Sequence, residues 1–317
     1  MIVRWGLDEL PQVLDEVGIA RPLLVASPRW SELTLPAAAR WEEIPSHRIA
    51  VPVEADGILA VGGGSAIDTA KAASAARGLP VVSVPTTYSG AEWTPTFGVR
   101  DPDRRMVGGG SGAHLAGIVY EPRLTLDLPR AESGGTAMNA LAHCAEALYA
   151  RGRNDDGDAN ALEGAKVISS TLPDVLDAPA HLALRTRLLE GADRAGRALG
   201  LAGLALGHAM AQAVGGAYGL PHGTLNGICL PAALRFNAEL APEAVRRFGD
   251  AIGAPEDPAA RVTELAGLAG PTRLRELAVP EADLERLGEA AAGRAGNRAN
   301  PRPASPAEVT ELLRSVW

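Results

Sequence analysis

Short runs of Val, Ile and Leu alternate with helix-like spacing through the first part of this chain, and then the β-type runs stop. PLLVAS (22–27), HRIAV (47–51), GILAV (57–61), PVVSVP (80–85) and GIVY (117–120) predict buried strands. DELPQVLDEVG and SAIDTAKAASAARG fall before or between them and predict helices. Strand and helix in alternation predict a mainly parallel sheet with helices on its faces. From about Pro129 only Ala- and Leu-rich helical patterns remain, at 133–150, 158–176, 181–216, 223–237, 242–252, 258–268, 281–292 and 306–316. The pattern therefore predicts two domains: α/β over 1–128, all-helical over 129–317.

Composition narrows the class without changing this picture. With 46% apolar and 21% charged residues the chain is globular rather than disordered. A net charge of −8 argues against nucleic acid or an anionic membrane as partner. Cys144 and Cys229 stand in apolar contexts and cannot build a disulfide framework, so reduced thiols and a cytoplasmic location are expected. The first 18 residues carry four acidic side chains and lack the apolar run of a signal peptide. No Lys, Arg, Asp or Glu lies between Arg197 and Arg235, yet His208, Gln212, His222 and Asn226 interrupt that stretch and Pro221 breaks it. A buried helix of a soluble domain fits it better than a membrane span. The only lysines are Lys71 and Lys166.

Chemistry is suggested by three histidines in these weakly charged stretches. His143 follows Asn139 by four residues, and Gln212 follows His208 by four, so each pair shares a helical face. His222 comes after a turn-like GLPHG break. An imidazole among apolar neighbours needs a partner; any one of the three alone reads as a core histidine bonded to a carbonyl, but three with flanking carboxamides read as a site. A second feature is AVGGGSAIDTAKA (60–72), a strand, three glycines and a helix. Gly62, Gly63 and Gly64 allow close backbone approach, Ser65 is placed to cap the helix with Asp68 three positions on, and the helix N-terminus suits a phosphate. It is not the GxGxxG fingerprint, and a plain strand-to-helix turn is the bland alternative. VPTTYSGAEWTP (84–95) follows the next strand and brings the Thr86 and Thr87 hydroxyls to the same carboxyl edge.

These motifs, with GTAMNALAHCAEALYA, GHAMAQAVGGAYGLPHG and the tail NPRPASPAEVTELLRSVW, resemble the iron-type alcohol dehydrogenase superfamily, and within it the maleylacetate reductase branch. The resemblance runs over nearly the whole chain in the same order. It implies the dehydroquinate synthase-like architecture of a nucleotide-binding domain and a helical domain, an active site in the cleft between them, and reduction of a carbonyl by NADH or NADPH. By residue it implies cofactor contacts at Gly63, Gly64, Ser65, Thr86 and Thr87, and a divalent ion (Zn or Fe) at Asn139, His143, His208 and His222. The same three histidines are the candidate catalytic groups, with Arg105, beside Arg104, where the family often has a lysine. A homodimer is the family default.

Three departures from the family pattern bear on function. Asn139 stands at the carboxylate ligand position, which weakens a dication site. Gln212 stands where a further histidine is usual, and a carboxamide transfers no proton near neutral pH. Only PVEAD separates HRIAV from GILAV, too short for the usual crossover helix between parallel neighbours. Arg105 in turn suits a carboxylate-bearing substrate such as an oxo-dicarboxylate. Three readings follow: a carbonyl reductase, a non-redox lyase, isomerase or cyclase that has lost the dinucleotide, and a non-catalytic binding protein.

Overall fold

The computed structural model describes residues 1–46, 49–101 and 103–317, and the chain divides into two compact units, Met1–Leu126 and Asp127–Trp317. The first unit holds the strands β1 (Ile2–Trp5), β2 (Pro22–Ala26), β3 (Ala39–Trp41), β4 (Gly57–Gly62), β5 (Pro80–Pro85), β6 (Phe97–Arg100), β7 (Met106–Gly110) and β8 (His114–Tyr120), and the helices α1 (Leu10–Glu16) and α2 (Gly64–Arg77). Six strands form one sheet in the order β1-β8-β5-β4-β2-β3, every pair parallel. Alternate residues serve opposite faces. Leu24, Leu59, Val61, Val82 and Val84 pack with Leu10, Val13 and Leu14 of α1. Leu23, Val25, Ile58, Ala60 and Val81 pack with Ile67, Ala70 and Ala73 of α2. Burial on both faces is why these strands read as continuous apolar runs.

The edge of the sheet corrects one expectation. The predicted strand HRIAV does not form over its described residues: Ile49–Val51 are irregular, and His47 and Arg48 lie outside the described residues. Ile49 and Val51 instead pack as coil against the α2-side core. The edge strand is β3, paired with β2 rather than β4 (Leu23↔Ala39, Val25↔Trp41). Residues 27–38 connect β2 to β3 and residues 42–56 return to β4, so both connections are long enough for parallel pairing without a full crossover helix. The short PVEAD link is no obstacle, because no strand precedes it directly. β1 and the antiparallel β6–β7 hairpin are strands that the apolar pattern did not predict.

The second unit is helical: α3 (Arg130–Ala147), α4 (Asp155–Asp177), α5 (Leu182–Ala202), α6 (Leu206–Tyr218), α7 (His222–Ala238), α8 (Pro242–Ala251), α9 (Pro258–Gly267), α10 (Leu284–Ala292), α11 (Ala295–Ala299) and α12 (Pro306–Ser315). The single helix expected over 181–216 is two, because Gly203 at φ 83° ends α5 and the chain bends by 101° into α6. Among the described residues no single helix is long and apolar enough to cross a membrane. Leu206, Met210, Ala213 and Val214 of α6 pack with Leu225, Ile228 and Cys229 of α7 over α10 and α12.

One crossing in this unit positions everything that follows. A side chain at Gly223, in the first turn of α7, would collide with the Gly135 carbonyl of α3. The missing methyl group lets the two backbones touch there, one turn before Asn139. Gly223→Ala is therefore expected to push α7 off α3 and cost about 1–3 kcal/mol of stability. Denaturant unfolding measures this; an unchanged midpoint would contradict the close-packing argument.

Candidate active site

Three helices bring Asn139, His143, His208 and His222 together in the second unit. Asn139, His143 and Glu146 lie at i, i+4 and i+7 on α3, along one buried stripe. His208 is the third residue of α6, and His222 is the first of α7, after Gly219 in the left-handed conformation and Pro221 as N-cap. The His143 and His208 rings stack with centroids 4.8 Å apart at 14°. His208 and His222 rings are 5.6 Å apart at 54°. Gln212, one turn beyond His208 on α6, is half-buried.

Glu146, fully buried, anchors this group and was missed by sequence reasoning. Its carboxylate accepts from the Ala205 N–H at 2.6 Å, the His208 N–H at 3.0 Å and His208 Nδ1 at 2.8 Å. The backbone donors are unmet groups at the start of α6, so an anion is stabilised there by hydrogen bonds and by the helix dipole. A Cβ at Gly207 would come within 2.8 Å of Glu146 Oε1, so glycine is what lets the carboxylate reach the helix end. The sequence signal was available: one acidic residue on the same face as Asn139 and His143 in an otherwise uncharged segment. Burial first and then the negative charge of Glu146 push the Cys229 thiol up to about 12. Burial likewise raises Cys144, so neither thiol is a nucleophile near neutral pH.

From Glu146 the contacts continue across all three helices. His208 Nε2 lies 3.3 Å from Asn139 Oδ1, which accepts from Asn226 Nδ2 at 2.6 Å, and Asn226 Nδ2 lies 3.0 Å from His222 Nε2. Burial, and then the nearby His208 and His222, hold the His143 ring well below the ordinary imidazole value. Its Nδ1 is buried without a hydrogen-bond partner.

The donor set does not fit a divalent ion as these side chains stand. The Asn139 oxygen and His222 Nε2 both face the Asn226 amide, and the His143 and His208 rings stack face to face instead of converging edge-on. The four candidate ligands are neutral where the family pattern has a carboxylate, and among the described residues no three His, Cys, Asp or Glu side chains are grouped to hold a metal.

In the first unit, the glycine turn and the threonine loop meet at the carboxyl edge of β4 and β5. Gly62 has φ 152°, and its carbonyl accepts from the Thr86 N–H at 3.0 Å. Cβ atoms at Gly63 and Gly64 would come to 2.9 Å from Thr87 Cγ2 and 3.3 Å from Ser89 Oγ. The N-cap of α2 is Gly63, without a side-chain cap, so the expected Ser65 cap is not formed. Asp68 instead accepts from the Gly98 N–H and pairs with Lys71 at 2.9 Å. The buried Lys71 ammonium also donates to the carbonyls of Ala91 (2.7 Å), Thr94 (3.2 Å) and Thr96 (2.5 Å), tying the threonine loop to α2. Thr87 Oγ1 beside the glycines is buried with no partner. An uncapped helix start, a glycine cradle and an unmet hydroxyl fit a dinucleotide's phosphates. Arg104 and Arg105 occupy the β6–β7 turn, exposed, with Asp101 Oδ1 accepting from the Arg105 N–H at 2.9 Å.

Two family models match the chain: iron-containing alcohol dehydrogenase over residues 46–116, and the C-terminal part of the same family over 134–317. The chain belongs to the iron-containing alcohol dehydrogenase family. A maleylacetate reductase from Pseudomonas knackmussii is 34% identical over 98% of this chain and 93% of its own length. Among solved structures, a putative alcohol dehydrogenase from Ralstonia eutropha matches with a TM-score of 0.89 at 32% identity, over 100% of this chain and 95% of the other. The maleylacetate reductase of Agrobacterium tumefaciens matches with a TM-score of 0.86 at 28% identity, with the same coverage. The parallel-sheet unit followed by a helical unit is this family's architecture.

The depressed His143 ring makes stability depend on pH. Unfolded, the imidazole takes up a proton below about 6.5, whereas the folded ring does not until much lower pH. Its contribution is therefore fully present above that value and lost as pH falls, with a slope approaching about 1.4 kcal/mol per pH unit. Unfolding of the protein and of His143→Gln between pH 7 and 5 measures it; the variant should show the shallower slope, and equal slopes would contradict a neutral buried ring.

Proposed function

We propose that this protein is an NAD(P)H-dependent reductase of a carbonyl substrate, with maleylacetate or a related oxo-dicarboxylate as its substrate class. The observation that carries the reading is the identity of about a third with maleylacetate reductases along nearly the full chain. Gly63, Gly64 and Ser65 would take the cofactor's pyrophosphate on the free N–H groups of α2, with the Thr86–Thr87 loop beside them. Bound there, the nicotinamide would supply the hydride that reduces the substrate.

The protein's own part of the chemistry is assigned to the histidines. His222 is only half-buried, whereas His143 and His208 are 3% and 1% exposed, so His222 is the ring within reach of a substrate. With Nε2 turned to the Asn226 amide, the neutral ring carries its proton on Nδ1, and this N–H is the donor for the negative charge that develops on the substrate oxygen. Glu146 holds His208 beside it, and the neutral His143 packs the stack without adding positive charge. On the β6–β7 hairpin, burial and then Arg104 lower the Arg100 guanidinium. A substrate carboxylate would relieve that crowding, and Arg105 offers a second, exposed guanidinium. The non-redox and non-catalytic readings have no observation in their favour beyond the departures already named. A cytoplasmic homodimer is the expected setting.

Cofactor titration tests this reading. NADH or NADPH fluorescence should change saturably on mixing, Gly64→Asp should weaken binding about tenfold or more by placing like charge in the cradle, and maleylacetate should be reduced after chelator dialysis. Absence of binding at millimolar cofactor, or turnover that requires an added ion, would overturn it.

A further inference from the structure

We infer that Asn226 is a positioning residue of this site: its amide group ties His222 to Asn139 and fixes which nitrogen of His222 carries the proton. The inference rests on the reductase reading for its catalytic consequence, but its structural content stands on distances alone.

Asn226 lies one turn after His222 on α7 and is 1% exposed. Its Nδ2 group contacts Asn139 Oδ1 at 2.6 Å, His222 Nε2 at 3.0 Å and the His222 carbonyl at 3.2 Å. All three partners take the donor side of the carboxamide. Its acceptor, Oδ1, is buried with no partner. The amide is thus oriented by what it gives, at the expense of what it could receive. Such an arrangement persists only where the surroundings over-determine it. Here the determinant is the close α3–α7 crossing at Gly135 and Gly223, which sets Asn139 against Asn226.

A carboxamide NH2 facing an imidazole nitrogen requires a lone pair on that nitrogen. His222 Nε2 is therefore the acceptor, and the neutral ring keeps its proton on Nδ1. The same NH2 group donates to the Asn139 oxygen and so fixes that side chain. One amide hence sets the orientation of His222 and ties α7 to α3 at Asn139.

The test uses the intact protein labelled with nitrogen-15 histidine, together with Asn226→Ala and Asn226→Asp. Ring nitrogen shifts, assigned with His222→Gln, report the tautomer. The parent should show Nε2 unprotonated and Nδ1 protonated. Asn226→Ala should lose this preference. Asn226→Asp, which has the same shape but presents an acceptor, should draw the proton to Nε2. In both, kcat for substrate reduction should fall roughly tenfold to a hundredfold, with cofactor affinity and KM nearly unchanged. If either variant unfolds, the other and the parent spectrum still decide. An unchanged His222 tautomer in the folded variants, or an Nε2-protonated parent, overturns the inference. A parent that binds no NADH or NADPH and reduces no carbonyl would sink the reductase reading while leaving the tautomer result to judge Asn226.

Discussion

A single buried carboxylate organises the helical unit. Glu146 has no solvent exposure, so its charge must be met inside the protein, and three N–H groups around the start of α6 meet it. Removing one partner of such a buried set typically costs about 3–5 kcal/mol, far more than any surface ion pair here contributes. The geometry is correspondingly constrained. α6 must begin where it does, after the bend at Gly203, with Gly207 bare of a side chain and His208 turned so that Nδ1 meets the carboxylate. Asn139 and His143, on the same stripe of α3 as Glu146, then face that ring without further adjustment.

The second constraint is backbone contact between α3 and α7. Because Gly223 lets α7 touch α3 at Gly135, Asn226 reaches Asn139, and His222 joins the other two rings. Neither constraint requires an ion. A buried anion stands behind His208, and a carboxamide stands between Asn139 and His222. The glycine cradle of the first unit is held by the opposite device, a buried cation: Lys71 donates to three loop carbonyls and so fixes the threonine loop beside Gly63 and Gly64.

Much of this was legible in the sequence, and the failures have physical causes. β2, β4, β5 and β8 are buried on both faces, so their apolar runs are unbroken and easy to recognise. β3 is a three-residue edge strand, ARW, with too few apolar positions to register. HRIAV misled because its apolar residues serve the core from coil. β1 is hidden because Arg4 and Trp5 blur its pattern into the amphipathic start of the chain. The α5–α6 break escaped because small residues on both sides of Gly203 continue the helical spacing. The histidines drew notice by being polar in apolar surroundings. Glu146 obeys the same logic on the Asn139–His143 face, whereas Asn226 shows in the sequence as a polar break but its contact with Asn139 crosses from α7 to α3, which no local spacing encodes.

That these tethered histidines assist hydride delivery to the substrate is the proposal on which the site's chemistry rests. Its most direct test is single-turnover reaction of maleylacetate with NADH or NADPH deuterated at the transferring position of the nicotinamide ring. The account predicts one deuterium on the product carbon that gains hydrogen per cofactor oxidised, and loss of that transfer in His222→Ala protein that still binds cofactor. Product without label, or undiminished transfer in the variant, would contradict it.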